Sequence, residues 1–273
     1  MMTDLFSLTD KVAVVTGSLG LIGRQHCYAL AEAGAHVVVT DINRDACVEF
    51  ANELNLNTGA TTLAVPADIT DRSSLMQLRN SVIDFFGYLD ILVNNAAIND
   101  KFESPESAAE QSKFESYPLE LWQRSFDVNV TGMFLCSQVL GSVMAERGTG
   151  SIINVASTYG LVAPDQSLYL RPDGTQPFFK SPSYPATKGA VISFTKYLAA
   201  YWGNKGIRVN ALCPGGVFAG QEEYFVKNYS KRTPLGRMAE PTDYKGALVF
   251  LASDASEYMT GANLVVDGGW TAW

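Results

Sequence analysis

The stretch TGSLGLIG, residues 16–23, decides the fold, because its glycines separate a short apolar run from a helical segment. The residues before it, 11–16 (KVAVVT), are rich in β-branched side chains and are typical of a buried strand. Residues 24–33 have helical character and end before Gly34. A glycine-rich turn between a strand and a helix is typical of a phosphate site, because the helix start offers free N–H groups.

The three glycines of this turn, Gly17, Gly20 and Gly23, follow the spacing G-x-x-G-x-x-G rather than the usual G-x-G-x-x-G. Gly17 permits a sharp exit from the strand, and Gly23 permits close packing of the helix on the sheet. Gly20 leaves one further backbone position without a side chain. We predict that the turn binds the pyrophosphate of a dinucleotide; the alternative is a glycine-rich turn without a ligand.

Strand and helix patterns alternate along the rest of the chain. The predicted strands are 11–16, 35–40, 62–67, 89–94, 151–155, 207–213 and 264–266, and the predicted helices are 24–33, 73–86, 119–145 and 183–202. This alternation predicts a parallel sheet covered by helices on both faces. No repeat or charged linker divides the chain. We therefore expect one α/β domain over residues 1–273, with a doubly wound parallel sheet of about seven strands.

Composition limits the partners. The chain has 273 residues, 47% apolar and 18% charged, with a formal net charge of −8. This charge argues against nucleic acid, whose phosphates require clustered basic residues. Four cysteines without a C-x-x-C pair and only two histidines argue against a metal site. The N-terminus does not resemble a signal peptide, and no apolar run looks long enough to cross a bilayer. We expect a cytoplasmic protein without a membrane partner.

Polar residues follow the predicted strands where a dinucleotide would lie. Asp41 follows the second strand, where a carboxylate accepts hydrogen bonds from an adenosine ribose and repels a 2′-phosphate. This favours NAD, although Arg44 could pair with such a phosphate, so NADP is the second choice. Asp68 follows the third strand, where it could hold the adenine amino group. The small residues 94–97 (NNAA) suit a cofactor lying across the strand ends. Each feature alone also fits an ordinary strand-end cap.

The segment SYPATK, residues 183–188, places Tyr184 and Lys188 four apart, hence on one face of a helix. A free phenol has a pKa of roughly 10 and is a poor base at neutral pH. A lysine ammonium one turn away would lower that pKa and make the phenol an acid or base near neutrality. Taken alone, the pair also fits an ordinary surface contact.

These motifs occur together in one order. They are TGSLGLIG, Asp41, Asp68, NNAA, Asn129 in DVNV, Ser157 in INVAS, YPATK, the CPGG turn and VDGG. Over essentially its whole length, the chain resembles the classical short-chain dehydrogenase/reductase family. The resemblance implies a Rossmann-type fold and an NAD(P)-dependent enzyme that interconverts an alcohol and a carbonyl. It also implies a catalytic tetrad of Asn129, Ser157, Tyr184 and Lys188.

The resemblance further implies a role for each of these residues. Tyr184 would exchange the proton with the substrate oxygen, and Ser157 would hold that oxygen. Lys188 would hold the nicotinamide ribose and tune Tyr184, while Asn129 would support a proton-relaying water. With the turn motifs, the expected cofactor contacts are Gly17, Gly20, Leu21, Ile22, Gly23, Asp41, Ile42, Asp68, Ile69, Asn95, Ala96, Ala97, Tyr184, Lys188, Pro214, Gly215 and Val217.

The first departure from the family pattern is in the glycine turn. Leu21 stands where classical members usually have the middle glycine, and Gly20 lies one position earlier. This spacing resembles the extended branch, which includes sugar-nucleotide epimerases and dehydratases. The chain after Tyr184 is short for that branch's substrate domain, so the epimerase or dehydratase is the alternative. A catalytically silent dinucleotide-sensing protein is a second alternative, although such a protein could lose tetrad residues that this chain keeps.

Two insertions, near 98–118 and 158–182, are the other departure, and both lie beside the expected site. Long loops there often form substrate lids; the alternative is a surface or oligomer contact. Their polar and aromatic residues favour a small, polyhydroxylated, sugar-like substrate, and they resemble reductases of bacterial surface-sugar (polysaccharide) biosynthesis. Candidate substrate contacts are Asn99, Lys101, Arg171 and Gln221.

The resemblance also implies an assembly. Family members form a homodimer or homotetramer through the helices that correspond to 119–145 and 183–202. Trp270 and Trp273 at the C-terminus could join such an interface or pack within one chain.

Overall fold

A parallel sheet forms the centre of the fold. The computed structural model describes residues 2–100 and 105–273, with no side-chain detail for residues 2, 3 and 105–107. Within these residues, the sheet contains β1 (Val12–Thr16), β2 (His36–Thr40), β3 (Thr62–Ala64), β4 (Ile91–Asn94), β5 (Gly150–Val155), β6 (Ile207–Pro214) and β7 (Asn263–Val266). Every pairing is parallel, in the order β3-β2-β1-β4-β5-β6-β7. The predicted single-domain, doubly wound sheet is confirmed.

Helices cover both faces of this sheet. The α-helices that the structure describes are α1 (Leu21–Glu32), α2 (Arg44–Thr58), α3 (Arg72–Phe86), α4 (Pro105–Gln111), α5 (Leu119–Phe126), α6 (Met133–Arg147), α7 (Ser183–Trp202), α8 (Glu223–Arg232) and α9 (Lys245–Ala252). Alternate β1 residues enter different cores: Ala13 and Val15 join the core under α1, α2 and α9, and Val12 and Val14 join the core under α3, α6 and α7. A strand buried on both faces explains the continuous apolar run.

The order of the strands places the functional cleft. Chain order runs outward from β1 to β3 on one side and from β4 to β7 on the other. At the carboxyl ends of β1 and β4, the connections therefore diverge to opposite sides and leave a crevice. The glycine turn follows β1, and residues 95–98 follow β4, so both border that crevice.

Several predicted boundaries were wrong. The strand predicted over 62–67 ends at Ala64, although the N–H groups of Val65 and Ala67 still donate to the carbonyls of Val39 and Asp41 (3.0 Å each). Pro66 lies between them on the edge strand, where its missing N–H faces away from β2. Helix α2 was not predicted, although Asn43 caps its start and Gly59, at φ 72°, ends it. Helices α8 and α9 were also missed.

The helix predicted as continuous over 119–145 is interrupted. Residues Asp127–Gly132 form a π-helical segment between α5 and α6. By length and composition, the stretch Leu119–Arg147 could cross a membrane, contrary to expectation, but half of its most apolar window is buried inside the protein. Its apolar side chains, such as Cys136 and Leu140, belong to the core on one face of the sheet.

Candidate active site

A cleft of about 850 Å³ runs along the carboxyl ends of the strands. One half is lined by the glycine turn, the ends of β2 to β4, and the turn after β6. The other half is lined by side chains from the second insertion and from residues 217–238. We call these the cofactor half and the substrate half.

The glycine turn is shaped by two close backbone approaches. Gly17 has a φ of 65°, and a Cβ there would lie 2.7 Å from the Ala96 Cα. A Cβ on Gly23 would lie 2.1 Å from the Gly17 carbonyl oxygen. Side chains are therefore excluded at both positions. The Nδ2 group of Asn95 donates to the carbonyl oxygens of Thr16 (2.9 Å) and Gly17 (3.0 Å), so it braces the turn from below.

The start of α1 fits a pyrophosphate. Gly20 is the residue before the helix, and no side chain caps it. The first N–H groups of a helix have no partner within the helix, and Leu21 and Ile22 carry them at the lining of the cleft. Uncapped donors beside bare glycine backbone form an anion-binding surface. Despite the shifted glycine, the geometry is compatible with a dinucleotide.

Acidic side chains lie at the far end of the cofactor half. Asp41 lines the cleft, and its carboxylate accepts hydrogen bonds from the N–H groups of Ile42 (2.8 Å) and Leu19 (3.3 Å). Arg44 is exposed and is not among the lining residues. Asp68 also lines the cleft, but its Oδ1 already accepts from the N–H and hydroxyl of Thr70.

The turn after β6 closes the other end of the cofactor half. The Gly215 N–H donates to the Val266 carbonyl (2.9 Å), and a Cβ on Gly215 would lie 2.8 Å from the Asp267 Cα. The structure places all the predicted cofactor contacts in the lining of the cleft, namely Gly17, Gly20, Leu21, Ile22, Gly23, Asp41, Ile42, Asp68, Ile69, Asn95, Ala96, Ala97, Tyr184, Lys188, Pro214, Gly215 and Val217.

Ser157, Tyr184 and Lys188 meet between the two halves. Ser157 follows β5, while Tyr184 and Lys188 lie on the first turns of α7, one helical turn apart. The Lys188 Nζ donates to the Val155 carbonyl (2.7 Å) and lies 5.8 Å from the centre of the Tyr184 ring. Burial lowers the pKa of Lys188 to about 8.

The pKa of Tyr184 differs in direction from the sequence-based expectation. Burial raises the pKa of this phenol, and a hydrogen bond with Ser157 opposes the rise. The expected lowering by Lys188 is not found in the free chain, because the Lys188 ammonium is directed to a backbone carbonyl. Tyr184 is therefore protonated near neutral pH in the free chain.

Asn129 does not line the cleft. It lies in the π-helical segment, where its Oδ1 accepts from the Ile98 N–H (2.8 Å) and its Nδ2 donates to the Ile98 carbonyl (3.0 Å). Nδ2 also donates to the Thr187 hydroxyl (3.3 Å), one residue before Lys188. The side chain thus ties the loop after β4 to α7 and borders the site only through its neighbours.

The substrate half contains residues that the motifs did not predict. Its wall is aromatic: Tyr169, Phe225 and Tyr229 form a chain of ring contacts with centroid distances of 5.2 and 6.0 Å. Tyr229 stacks on Trp270 at 4.3 Å. Phe225 and Tyr229 lie four apart on α8, but no spacing rule connects them with Tyr169 and Trp270, which come from separate loops.

Only some of the predicted substrate contacts lie in the lining of the cleft. Gln221 lines the cleft. Asn99 and Arg171 do not; Asn99 accepts from Lys180, and Arg171 pairs with Glu222. Lys101 lies outside the described residues. Lys180, which the sequence did not single out, lines the cleft with its Nζ 4.2 Å from the centre of the Tyr184 ring.

Comparison with known proteins agrees with this geometry. A family model described as enoyl-(acyl carrier protein) reductase matches residues 20–271. Galactitol 2-dehydrogenase (L-tagatose-forming) of Cereibacter sphaeroides is 35% identical over 98% of both chains. D-threitol dehydrogenase of Mycolicibacterium smegmatis is 34% identical over 97% of this chain and 95% of that protein.

Solved structures agree as well. A short-chain type dehydrogenase/reductase from Mycobacterium marinum has a TM-score of 0.86 and 32% identity, with both chains fully covered. This chain belongs to the short-chain dehydrogenase/reductase family. A gluconate 5-dehydrogenase from Burkholderia cenocepacia J2315, in complex with NADP and tartrate, is also similar to this dehydrogenase/reductase, with a TM-score of 0.88 and 30% identity over the full length of both chains.

The sequence of this dehydrogenase/reductase argued against a metal site. Its four cysteines are buried, and no group of three or more His, Cys, Asp or Glu that could hold a metal occurs among the residues described.

Proposed function

We propose that this dehydrogenase/reductase uses NAD to oxidise a secondary alcohol of a small polyhydroxylated substrate, or to reduce the matching carbonyl. The observation that carries the proposal is the meeting of Ser157, Tyr184 and Lys188 beside a cleft half shaped by bare backbone. The nicotinamide supplies the hydride acceptor or donor when bound.

The chain's own residues handle the proton. In the oxidation, Tyr184 must first release its own proton, and the phenolate then takes the proton of the substrate hydroxyl; in the reduction, the neutral phenol gives its proton to the carbonyl oxygen. Ser157, whose side chain lies close enough to Tyr184 to lower its pKa, holds the same substrate oxygen. Because burial raises the Tyr184 pKa, oxidation needs positive charge near the phenol, and the buried Lys188 ammonium is placed to supply it.

Asn129 has a positioning role in this proposal. Its side chain fixes Ile98 and Thr187, and thereby the floor of the cleft and the helical turn that carries Lys188. The predicted relay water would lie against this part of the chain.

NAD is proposed over NADP because Asp41 presents a carboxylate where a 2′-phosphate would lie. Arg44 does not reach the lining of the cleft, so it does not offset that charge there. The structure of the related gluconate 5-dehydrogenase contains NADP. The affinities of this protein for NAD and NADP therefore have to be measured side by side.

The substrate class is supported by two observations. The related enzymes named above act on galactitol, threitol and gluconate. The substrate half also combines aromatic rings with polar groups such as Gln221 and Lys180, which suits a compact hydroxylated molecule. The proposed role in surface-sugar biosynthesis stays a prediction.

We further propose a cytoplasmic homodimer or homotetramer. The outer faces of α6 and α7 expose Phe134, Tyr197 and Tyr201, and the two tyrosines stack at 5.9 Å. Exposed aromatic side chains on adjacent helices favour an interface. Trp270, by contrast, is buried against Tyr229 within one chain.

The test is turnover of polyols and keto-sugars with NAD or NADP, followed by the absorbance of the reduced nicotinamide. Tyr184→Phe removes only the hydroxyl, so we expect kcat to fall about 10²- to 10⁴-fold, with NADH affinity nearly unchanged. Tyr258→Phe, at a fully exposed tyrosine, is the matched control. Tight NADH binding without turnover of any substrate would instead support the silent sensor.

A further inference from the structure

Lys180 lines the substrate half, and the proposed reaction does not use its ammonium. It lies near the end of the second insertion, four positions before Tyr184. The Gln166 side chain holds its backbone on both sides: Oε1 accepts from the Lys180 N–H (2.8 Å), and Nε2 donates to the Lys180 carbonyl (3.1 Å). The position of the residue is therefore fixed, although it lies in a loop.

The Lys180 ammonium lies over the proposed proton-transfer residue. Its Nζ is 4.2 Å from the centre of the Tyr184 ring, close enough for a cation–π contact. A substrate oxygen bound to the Tyr184 hydroxyl would bring the rest of the substrate next to this ammonium. Lys180 would thus contact the bound substrate.

The charge of Lys180 is poorly compensated. In the part of the chain that the structure describes, no carboxylate forms a salt bridge with it, and its one hydrogen-bond acceptor is the neutral Asn99 Oδ1 at 3.0 Å. The Asp100 carboxylate acts on it electrostatically without forming a salt bridge, and accepts a hydrogen bond from the Tyr117 hydroxyl (2.7 Å). Burial lowers the Lys180 pKa to about 8, and the Asp100 carboxylate opposes this shift.

A neutral polyol would leave this ammonium unpaired, whereas an anionic group on the substrate would pair with it. We propose that Lys180 binds the carboxylate of the substrate, so that the preferred substrates are sugar acids (aldonates) rather than the matching alditols. One ammonium beside a neutral amide, which also carries N–H donors, suits a singly charged carboxylate better than a phosphate dianion. This inference rests on the proposed function, because it places the substrate against Tyr184.

The first experiment compares matched pairs that differ only at one terminal carbon: D-gluconate with D-glucitol, D-galactonate with galactitol, and L-threonate with L-threitol. For wild type, we expect at least one acid to exceed its alditol in kcat/KM by about tenfold or more. Lys180→Met should raise KM for that acid roughly 10- to 100-fold, the effect of losing a charge-assisted hydrogen bond, and leave the alditol nearly unchanged. Lys180→Arg should keep part of the preference.

The control variant is Lys196→Met, at an exposed lysine on α7, which should not change the acid preference. Equal loss of kcat for acid and alditol in Lys180→Met, with a shifted pH profile, would mean that Lys180 acts on Tyr184 and would overturn the proposal. A wild type that prefers alditols, or that binds D-glucitol 6-phosphate better than D-gluconate, would also overturn it.

Calorimetry separates this inference from the proposed function. The NADH-saturated protein is titrated with each acid and its alditol, so no turnover is needed. Acid binding that is lost in Lys180→Met, without turnover of any compound, would support the anion site and refute the oxidoreductase assignment. Turnover of alditols without any acid preference in binding would support the oxidoreductase and refute the anion site.

Discussion

The two halves of the cleft are built in different ways. In the cofactor half, backbone surfaces approach each other so closely that Gly17 and Gly23 admit no side chain. In the substrate half, the surface consists of side chains such as Tyr169, Lys180 and Phe225, which come from distant segments. A backbone cradle requires particular residue types at particular spacings, whereas an aromatic wall can be assembled from many sequences.

The halves also differ in what holds them. The glycine turn is joined to the ends of β1 and β4, with Asn95 bridging them by hydrogen bonds. The second insertion is joined to α8 by ring contacts and by two ion pairs on the surface, Arg171–Glu222 and Arg232–Asp165. Changes in the cofactor half should therefore cost more than changes in the substrate half.

The largest effect should follow Gly23→Ala. The new Cβ would meet the Gly17 carbonyl oxygen at 2.1 Å, so the turn must open, which typically costs about 1–3 kcal/mol. We expect NADH affinity, measured by fluorescence titration, to fall at least about tenfold, together with the Tm. Gly246→Ala on α9, where a Cβ meets nothing within 4 Å, is the control. Unchanged NADH affinity in Gly23→Ala would show that the turn is not the cofactor cradle.

The second effect concerns the stability of the protein in acid, which should depend on a buried histidine on α1, the helix that follows the glycine turn. His26 on α1 is fully buried, its two ring nitrogens lack partners among the described residues, and burial lowers its pKa from 6.5 to about 3. The unfolded chain therefore takes up the proton first, so stability is present above pH 6.5 and is lost as the pH falls towards 3. At pH 5 the loss should be about 2 kcal/mol.

His26→Leu should remove this pH dependence, because leucine does not titrate. Denaturant unfolding at pH 7 and pH 5 measures the change, and the variant should lose about 2 kcal/mol less than wild type between these values. Equal losses in both proteins would mean that His26 is hydrated or paired in solution.

A smaller effect is expected for cofactor choice. Asp41→Asn keeps a similar shape but removes the negative charge opposite a 2′-phosphate. The ratio of NADP to NAD dissociation constants should fall by about tenfold, equivalent to about 1.4 kcal/mol. Asp45→Asn, at an exposed carboxylate in the first turn of α2, should leave the ratio unchanged. If Asp41→Asn behaves like Asp45→Asn, the carboxylate does not select the cofactor.

The smallest effect belongs to the substrate half. Arg171→Gln removes the exposed ion pair with Glu222, which holds the insertion to the start of α8. Exposed pairs contribute about 0–1 kcal/mol, so the Tm should change by only a few degrees. We expect a modest rise in substrate KM with NADH affinity unchanged. A loss of NADH affinity would show that the halves are mechanically coupled.

The cofactor half could be predicted from the sequence much better than the substrate half. The sheet was predicted because its strands are buried on both faces and read as apolar runs. Tyr184 and Lys188 were predicted from helical spacing. Lys180 was missed because its position depends on Gln166, fourteen residues away in a loop, and no local pattern records that contact.

Helix α2 shows a different kind of miss. Its capping signals were present in the sequence, with Asn43 before it and Gly59 after it, and its buried face (Cys47, Phe50, Ala51 and Leu54) follows the spacing of an amphipathic helix. The sequence therefore held the signals for this helix, and they were overlooked. Asn129 was placed correctly in its motif, yet the motif does not say where the amide points. Its direction depends on the π-helical segment, which an uninterrupted helical pattern does not predict.

That π-helical segment, Asp127–Gly132, changes the rotation of α6 relative to α5 about their common helix axis. A π turn carries an extra residue compared with an α turn, and one residue corresponds to a rotation of about 100°. Asp127 and Val128 therefore line the cleft, while Phe134, further along, faces outward. Deleting a single residue in this segment would rotate the exposed Phe134 relative to the cleft, although the sequences of α5 and α6 would stay the same. The lining of the cleft and the exposed aromatic side chains therefore lie on opposite sides of this segment, so substitutions in one need not move the other.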